Sequence, residues 1–406
     1  MAKGERKEIM NRSKNLQSLR AGNRAAIIRA IVLGYATSRI ELSSYLGLSK
    51  MAISTLVSDL LADGYLVEME HSPSNEATLT QNHRRGKRPT TLIVPPNRIH
   101  AISINIRRYE IHCTVMEING KILERDSAVL PEGCDNAIFL ALLTELLDRC
   151  LGRNRHLYIA GIGVSSPGPL NLKNRAILRP PLLYNISNVA IGEILEQRYD
   201  VPIFFDNDMN ANAVAECLYG IGKKVNSLIY VGLGGIGSGI VLDRKLIHGG
   251  DGYAGEIAHI SVNSEGYLCH CGQRGCFEYY ANSGVVLQKL KNALLEDIWR
   301  DYQNQKLSKE NQQVISQCRD ALRTMLVILA NTFDPQVIIF GEVPTTLFSI
   351  YFEDMERYMN DHMFNKEFKK IHLYPASFGD DAPLVGSASL VFKEIFEGEL
   401  PLPSGT

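Results

Sequence analysis

The feature that most restricts how this chain can fold is a group of three cysteines and one histidine between residues 259 and 276. His259 is followed by Cys269, Cys271 and Cys276. Zinc prefers thiolate and imidazole ligands, and a closed structural site takes four of them. We therefore predict that this segment folds around one structural Zn²⁺. A cluster of reduced thiols without a metal is the alternative.

Two glutamates, Glu256 and Glu278, stand just outside the two ends of this segment. A zinc-bound imidazole usually gives its second ring nitrogen to an outer hydrogen bond. That nitrogen of His259 and the two carboxylates can hold vicinal hydroxyls of a sugar if they face a cleft. The segment thus predicts a metal site that also shapes a binding site.

The charge of the chain is divided between a basic N-terminal part and an acidic remainder. Residues 1–98 hold 15 lysines and arginines against 8 acidic residues, whereas the remainder holds 28 against 36, which leaves a net charge of −1. A basic part joined to an acidic body indicates nucleic-acid binding at one end. The alternative is a solvated basic tail.

Three short stretches of the basic part, 23–34, 38–46 and 50–62, have apolar residues at helical spacing. A turn containing Gly47 separates the last two stretches, and such short helices joined by a tight turn are typical of a helix-turn-helix. The residues predicted to face the core are Ala26, Ile27, Ala30, Ile31, Leu33, Ile40, Leu42, Tyr45, Leu46, Ile53, Leu56, Val57, Leu60 and Leu61.

The third helix is predicted to enter the major groove of DNA, with Ser49 as its N-cap. The residues predicted to reach DNA from this helix are Ser49, Lys50, Met51, Ser54, Thr55 and Ser58. Strand-like segments at 65–70 and 90–94 follow and predict a wing. The polar stretch between them ends in four cations: Arg84, Arg85, Lys87 and Arg88. They suit contacts to phosphates or to a narrow minor groove, and a flexible basic loop without sequence preference is the alternative.

Beyond Pro95-Pro96 the sequence alternates between strand and helix patterns. Strands are predicted at 99–106, 111–118 and from 121, a helix at 136–151, a strand at 159–164 and a helix at 191–199. A strand, a glycine turn and a second strand at 227–241 begin a similar series. This alternation predicts an α/β fold.

Several motifs resemble those of the ROK family of repressors, open reading frames and kinases. In the basic part they are Asn23-Arg24, Gly47-Leu48-Ser49 and Gly86-Lys87-Arg88-Pro89; in the body they are 232–239, 331–342 and 385–388. The resemblance implies a winged helix-turn-helix followed by a two-lobed ATPase fold of the actin and hexokinase type. We expect a DNA-binding domain at 1–97, a first lobe at 98–206, a second lobe with the zinc loop at 207–379, and a C-terminal helix at 380–406 that returns to the first lobe.

The resemblance also implies a sugar site. In ROK sugar kinases the residues that match Asn207, Asp208, Glu256, His259 and Glu278 contact the sugar, and the match to Asp208 acts as general base. All five positions hold the residue types of the family. The resemblance favours His259 over His270 as the zinc ligand and leaves His270 facing solvent. The alternative is that some of the five are polar remnants of a degenerate site.

The first phosphate loop departs from the kinase pattern. Kinase members carry Asp-x-Gly-Gly-Thr after the first strand, where this chain has Asn105-Ile106-Arg107-Arg108-Tyr109. Bulky side chains block the close approach that glycine permits, and a carboxylate that organises the metal is lost. The second glycine loop, 232–239, is intact. We therefore expect no kinase activity. The two arginines could instead bind a phosphate or form surface ion pairs.

These features together predict a sugar-responsive transcriptional regulator, a repressor that a sugar or a sugar phosphate releases from operator DNA. We expect a symmetric homodimer or homotetramer without membrane contact. No apolar run reaches membrane-spanning length and the N-terminus lacks a signal-peptide pattern, so we expect a cytoplasmic protein. The alternatives are a ROK sugar kinase with a DNA-binding head, and a regulator that a partner protein controls.

Overall fold

The computed structural model describes residues 18–69, 90–181, 183–291, 295–341 and 345–402. We call the described residues up to 97 the head. It contains helix α1 over residues 18–32, α2 (Arg39–Leu46) and α3 (Lys50–Ala62). Strands β1 (Val67–Met69) and β2 (Thr91–Ile93) follow and pair antiparallel.

Local sequence signals explain the ends of these helices. The side chain of Ser38 accepts a hydrogen bond from the backbone N–H of Glu41, whose carboxylate in turn accepts from the backbone N–H of Ser38, and this reciprocal pair starts α2. Gly47 ends α2 in the left-handed region with φ 66°. Ser49 then caps α3 by accepting from Ala52 N at 3.2 Å. The predicted boundaries of α2 and α3 are therefore correct to within one residue, whereas α1 is already helical at residue 18, five residues before its predicted start at 23.

The predicted core of the head is wrong at two positions of α2. Leu42 is fully buried, but Ile40 and Tyr45 are 64% and 52% exposed. The helix has only eight residues, so a single face of about two turns can pack against α1 and α3. The ring of Tyr45 stacks on that of Tyr35, with 5.3 Å between the centroids, at the surface.

The first lobe is built on a five-stranded sheet. Its strands are β3 (His100–Ile106), β4 (Glu110–Glu117), β5 (Ile122–Val129), β6 (Ile159–Ser166) and β9 (Ile203–Asn207), in the order β5-β4-β3-β6-β9. The small strands β7 (Leu170–Asn171) and β8 (Ala176–Ile177) form a separate hairpin, and the helices are α4 (Asn136–Arg153) and α5 (Ile191–Arg198). The pairs within β3, β4 and β5 are antiparallel, and β6 and β9 run parallel to β3.

The second lobe repeats this sheet. Its strands are β10 (Leu228–Gly232), β11 (Gly237–Leu242), β12 (Lys245–Leu246), β13 (Val337–Gly341) and β14 (His372–Pro375), in the order β12-β11-β10-β13-β14. Antiparallel and parallel pairs occur in the same sequence as in the first sheet. The remaining helices are α6 (Asp208–Leu218), α7 (Glu278–Ala281), α8 (Ser283–Lys289), α9 (Leu295–Gln303), α10 (Lys309–Phe333), α11 (Thr345–His362) and α12 (Ala382–Glu397). The predicted α/β class is confirmed.

Helices α6 and α12 join the two lobes and the head. Helix α12 packs on β3, β6 and α6, while α6 also packs on β10 and β11. One continuous apolar cluster contains Ile27 and Ile31 of the head together with Ile395 and Phe396 of α12. The head therefore rests on a shared core. Across the ranges above, no helix is both long and apolar enough to cross a membrane.

The contact between β6 and α12 leaves no room for a side chain at Gly163. A Cβ there would lie 1.8 Å from the backbone oxygen of Ser387. We expect Gly163→Ala to lower the free energy of unfolding by about 3 kcal/mol, because overpacking forces backbone movement. Denaturant unfolding of the purified variant measures this. The matched control is Gly152→Ala in α4, where no atom lies within 4 Å and the helical position favours alanine. Equal stability of the two variants would contradict the packing argument.

Candidate functional site

The outer face of α3 is exposed along its whole N-terminal half. The six residues predicted to reach DNA from this helix are all exposed: Ser49, Lys50, Met51, Ser54, Thr55 and Ser58. The opposite face holds the buried residues Ile53, Leu56, Val57 and Leu60. The four predicted wing cations, Arg84, Arg85, Lys87 and Arg88, lie outside the described residues.

Ion pairs that the sequence reasoning did not identify hold α3 and the β1–β2 hairpin in place. Arg24 of α1 pairs with Asp63 at 2.6 Å, just after the end of α3. Arg39 at the start of α2 pairs with Glu68 of β1. These pairs link the end of α3 to α1 and strand β1 to α2, although each pair at the surface contributes little stability by itself.

The four residues predicted as zinc ligands come together. One nitrogen or sulfur atom from each of His259, Cys269, Cys271 and Cys276 lies within 4.8 Å of the others. Cys269 Sγ is 3.6 Å from His259 Nδ1, and Cys271 Sγ is 3.6 Å from Cys276 Sγ. These cysteines are free thiols. The group can hold a metal ion.

The distances within this cluster fit zinc. In a tetrahedral site with zinc–sulfur bonds of about 2.3 Å, neighbouring sulfurs lie about 3.8 Å apart. The measured 3.6 Å between Cys271 Sγ and Cys276 Sγ is close to that edge and far from the length of a disulfide bond. Since His259 turns Nδ1 to the thiols, its Nε2 remains for an outer contact.

Backbone geometry explains the glycines of this loop. Gly272 and Gly275 have φ of 91° and 71°, in the left-handed region that side chains disfavour. A Cβ on Gly275 would also lie 1.6 Å from the backbone oxygen of Asn263. The backbone N–H of Cys269 donates to Gln273 O at 2.7 Å and closes the turn. The loop therefore presents its ligands through turns that need glycine.

His270 is exposed, in agreement with its predicted position, yet its Nδ1 lies 3.7 Å from Cys269 Sγ. A second set of potential ligand atoms, from His259, Cys269, His270 and Glu278, also lies within 4.8 Å. The three-thiolate set suits zinc better, because sulfur ligands are preferred in closed structural sites. Glu278 thus lies in the neighbourhood of His259, within 4.8 Å between potential ligand atoms.

Two of the predicted sugar residues, Asn207 and Glu256, converge on the loop at Gly168. A Cβ on Gly168 would lie 3.7 Å from Glu256 Oε1 and 3.8 Å from Asn207 Nδ2. Asn207 ends β9 and caps α6 by accepting from Met209 N at 2.9 Å. Asp208 follows on the first turn of α6 and is half-buried. The bare backbone of Gly168 leaves space between these polar groups.

Glu256, His259 and Glu278 interact electrostatically across the same region. Desolvation raises the pKa of the Glu256 carboxyl, an effect that His259 opposes and Glu278 strengthens. The Glu256 residue as a whole is exposed, although its carboxyl group is partly desolvated. Glu278 is half-buried at the start of α7. The structure thus brings four of the five predicted sugar residues into one region, and Asp208 adjoins them in the chain.

Asp206 is a positioning residue that the sequence reasoning missed. Its Oδ1 accepts from Asn207 N at 2.7 Å and from Asn210 Nδ2 at 2.8 Å. Its Oδ2 lies 2.7 Å from His248 Nε2. Both residues line a cleft of about 700 Å³. The only sequence signal was its place directly before Asn207-Asp208, since the partner His248 is distant in the chain.

The pair of His248 and Asp206 makes stability depend on pH. The hydrogen bond from Asp206 raises the pKa of His248 above its usual value, although desolvation opposes this. The stabilisation is full below the unfolded pKa near 6.5 and is lost as pH rises through the higher folded pKa. We expect the stability difference between the parent chain and His248→Gln to be larger at pH 6 than at pH 8.5. Solvent screening keeps the change below about 1 kcal/mol.

Urea unfolding at the two pH values measures this dependence. His156→Gln is the control, because it makes the same substitution at an exposed position of the first lobe, outside the pair of His248 and Asp206. A His248→Gln difference that stays constant over this pH range would contradict the prediction.

The segment 105–109, where the sequence predicts a departure from the kinase phosphate loop, makes side-chain contacts. Asn105 Nδ2 donates to Ser165 Oγ at 2.8 Å, and Arg107 Nε donates to Asn105 Oδ1 at 2.9 Å. The Arg108 guanidinium lies over the Tyr109 ring, 4.9 Å from its centroid. Both the nitrogen and the oxygen of the Asn105 side-chain amide are therefore already hydrogen-bonded.

Packing accounts for glycines of the second loop. Cβ atoms on Gly232 and Gly237 would lie within 3 Å of the Met209 side chain, and one on Gly239 would lie 2.4 Å from Met209 O. These glycines let the β10–β11 hairpin approach α6. Their presence is consequently no independent sign of nucleotide binding.

Comparison with known proteins gives a family and a fold. The model of the ROK family matches residues 101–394. The chain is 27% identical to a xylose repressor of Caldicellulosiruptor bescii over 395 residues, which cover 92% of this chain and 96% of that protein.

Two solved structures have related folds. One is a ROK family transcriptional regulator, a homolog of the Escherichia coli MLC protein, with a TM-score of 0.78 and 23% identity over 94% of this chain and 98% of that one. The other is a ROK hexokinase of Thermus thermophilus, with a TM-score of 0.61 and 25% identity over 73% of this chain and 99% of the hexokinase. The hexokinase thus leaves about a quarter of this chain unmatched.

Proposed function

The chain belongs to the ROK family, and from that membership we propose that it is a sugar-responsive transcriptional repressor. The observation that carries the proposal is the extent of the match to a repressor. The xylose repressor aligns with 92% of this chain. The hexokinase aligns with only 73% of this chain, although 99% of the hexokinase is covered. The family model itself begins at residue 101, beyond the head. The head is therefore the part that distinguishes this chain from a kinase of the family.

The head is proposed to be a winged helix-turn-helix that binds operator DNA. Helix α3 would lie in the major groove with its exposed N-terminal half against base edges. The hairpin of β1 and β2 leads into the segment with the four wing cations, which would contact phosphates or the minor groove. The net charge of +7 on residues 1–98 favours this role.

The body is proposed to bind a sugar between the lobes, through Asn207, Asp208, Glu256, His259 and Glu278. Carboxylates, an amide and an imidazole around the open space at Gly168 suit hydroxyl groups. For release from DNA, the sugar must bind the DNA-free form more tightly, and DNA must weaken sugar binding by the same factor. A symmetric dimer or tetramer would present paired heads to a palindromic site.

The metal is proposed to be structural zinc, held by His259, Cys269, Cys271 and Cys276. The distances and the donor set support this assignment. Zinc would fix the loop between Glu256 and Glu278. The two carboxylates would then already be positioned before the sugar binds, so the loop would lose little further conformational freedom on binding.

We expect no phosphorylation of sugars by this chain, because Asn105, Arg107 and Arg108 stand where the kinases of the family carry the aspartate and glycines of their first phosphate loop. An assay of sugar-dependent ADP release from ATP and Mg²⁺ measures this, with a ROK glucokinase as the positive control. ADP release that depends on sugar and disappears in Asp208→Asn would favour the second candidate, a kinase that carries a DNA-binding head. The related hexokinase structure makes this the appropriate alternative.

The deciding experiment is the selection of genomic DNA fragments by the purified chain, followed by elution with a panel of sugars and sugar phosphates. Xylose is the first sugar to test, because a related protein is a xylose repressor. We expect a palindromic site from which one sugar elutes the protein. If no sequence is enriched even at low salt, the repressor proposal is wrong. If an Asp208→Ala variant still responds in cells, a partner protein is the controlling signal.

A further inference from the structure

A pocket of about 220 Å³ lies where the head meets both lobes. Residues of α1, α6, the β11–β12 hairpin and α12 line it, and we call it the junction pocket. Its charged lining residues are Arg29, Asp243, Arg244, Lys245, Lys393 and Glu397. Four cations thus face two carboxylates. The pocket is distinct from the sugar residues around Gly168.

Arg29 of α1 differs from the other cations of this pocket. Its Nε is buried without a hydrogen-bond partner among the described residues. Arg244, by contrast, donates to Asn226 Oδ1 at 2.9 Å and to Lys223 O at 3.2 Å. A buried guanidinium nitrogen without an acceptor is costly, so Arg29 is suited to receive an anion.

The carboxylates of the pocket do not neutralise its cations. Glu397 Oε2 is 3.0 Å from Lys393 Nζ and is therefore already paired. This leaves Asp243 against Arg29, Arg244 and Lys245. Guanidinium groups bind phosphate through paired, charge-assisted hydrogen bonds. The excess of positive charge and the small volume match an anion of phosphate size.

We propose that the junction pocket binds a small phosphate-bearing anion, inorganic phosphate or a small phosphate monoester, through Arg29 and the cations of the β11–β12 hairpin. The anion would link a residue of the head to the second lobe. The Tyr35 hydroxyl of the head already donates to Lys223 O at 3.1 Å, and the same oxygen accepts from Arg244. Binding would consequently brace the head against the second lobe. The regulatory part of this inference rests on the proposed DNA-binding function.

Calorimetric titration of the full chain with inorganic phosphate and with glycerol 3-phosphate, at constant ionic strength in chloride, tests the site. We expect saturable binding that Arg29→Gln weakens by at least about tenfold, because charge-assisted hydrogen bonds are lost. Tighter binding of glycerol 3-phosphate would assign the pocket to monoesters, and tighter binding of phosphate would assign it to the free ion. Uncharged glycerol is expected not to bind there.

Arg20→Gln is the matched control, because Arg20 lies on the same helix but pairs with Asp59 outside the pocket. It is expected to keep full phosphate affinity. Lys245→Gln, on the exposed wall of the pocket, provides a second variant if circular dichroism reveals that Arg29→Gln does not fold. Equal affinity of the parent chain and of the folded pocket variants would overturn the proposal. So would an absence of binding at millimolar concentrations.

Two further measurements separate this inference from the sugar site and from DNA binding. Glu278→Gln is expected to leave phosphate affinity unchanged, and a changed affinity in either direction would place the anion in the sugar cleft and overturn the assignment. Operator affinity of the parent chain is expected to change by at least threefold with glycerol 3-phosphate, and that of Arg29→Gln not to change. If glycerol 3-phosphate binds through Arg29 but leaves the operator affinity unchanged, the proposed bracing of the head is wrong, even if DNA binding itself is confirmed.

Discussion

Cys271→Ala is expected to release zinc from the chain and to lower its stability by at least about 3 kcal/mol, because a structural zinc ion stabilises the loop that holds it. The Cys271 side chain is exposed, so its replacement by alanine removes few packing contacts. A loss of stability therefore reports the loss of metal coordination. Zinc content after dialysis against a chelator and the urea midpoint measure the two effects.

The same variant is expected to weaken the sugar response at least tenfold, because Glu256 and Glu278 lose the support of the loop. Cys318→Ala is the control, since Cys318 is a half-buried thiol outside the cluster and its removal leaves the zinc content unchanged. A Cys271→Ala protein that retains its zinc, its stability and its sugar affinity would show that the cluster has no structural role.

Ser54→Glu is expected to reduce operator affinity by more than a hundredfold. Ser54 is exposed near the start of α3, so the substitution leaves the head folded and places a carboxylate against DNA. Loss of one good base contact costs about 1–3 kcal/mol, and repulsion from the phosphates adds to this. Fluorescence anisotropy with the selected operator at fixed salt measures the change.

Ser127→Glu is the matched control, because it adds the same charge at an exposed position of β5, far from α3 in the sequence and on the edge strand of the first sheet. It is expected to bind the operator as the parent chain does. If both variants bind equally well, α3 does not contact DNA and the proposed orientation of the head is wrong.

The sequence was a good guide wherever a feature depends on residues close together in the chain. Ser49 caps α3 as expected, and Gly47 ends α2. The four residues that can hold a metal also lie close together in the chain, so their spacing, together with the resemblance that favoured His259, predicted that they would meet. The pattern was less reliable for α2, where a short helix has too few residues to define its buried face, and Ile40 and Tyr45 are consequently exposed.

Contacts between segments that are distant in the chain could not be predicted from residue spacing in the sequence. The approach of His248 to Asp206 brings together residues from the two halves of the body. The glycine run of the second loop is compatible in sequence with a phosphate loop or with a packed hairpin, and the structure shows that Met209 of α6 leaves no room for side chains at Gly232, Gly237 and Gly239. Neither relation has a fixed spacing in the sequence, because each depends on how α6 lies between the two sheets.

The sequence by itself therefore determined the α/β class, the meeting of His259, Cys269, Cys271 and Cys276 in one loop, and the caps of the head helices. Only the tertiary structure decided that α12 packs on the first sheet, that Asp206 orders Asn207, and that Arg29 faces a pocket shared with Arg244. The physical reason is the range of the interactions. Hydrogen bonds within a turn and ligand spacing are fixed over a few residues, whereas packing between helices and sheets depends on the shape of the whole core.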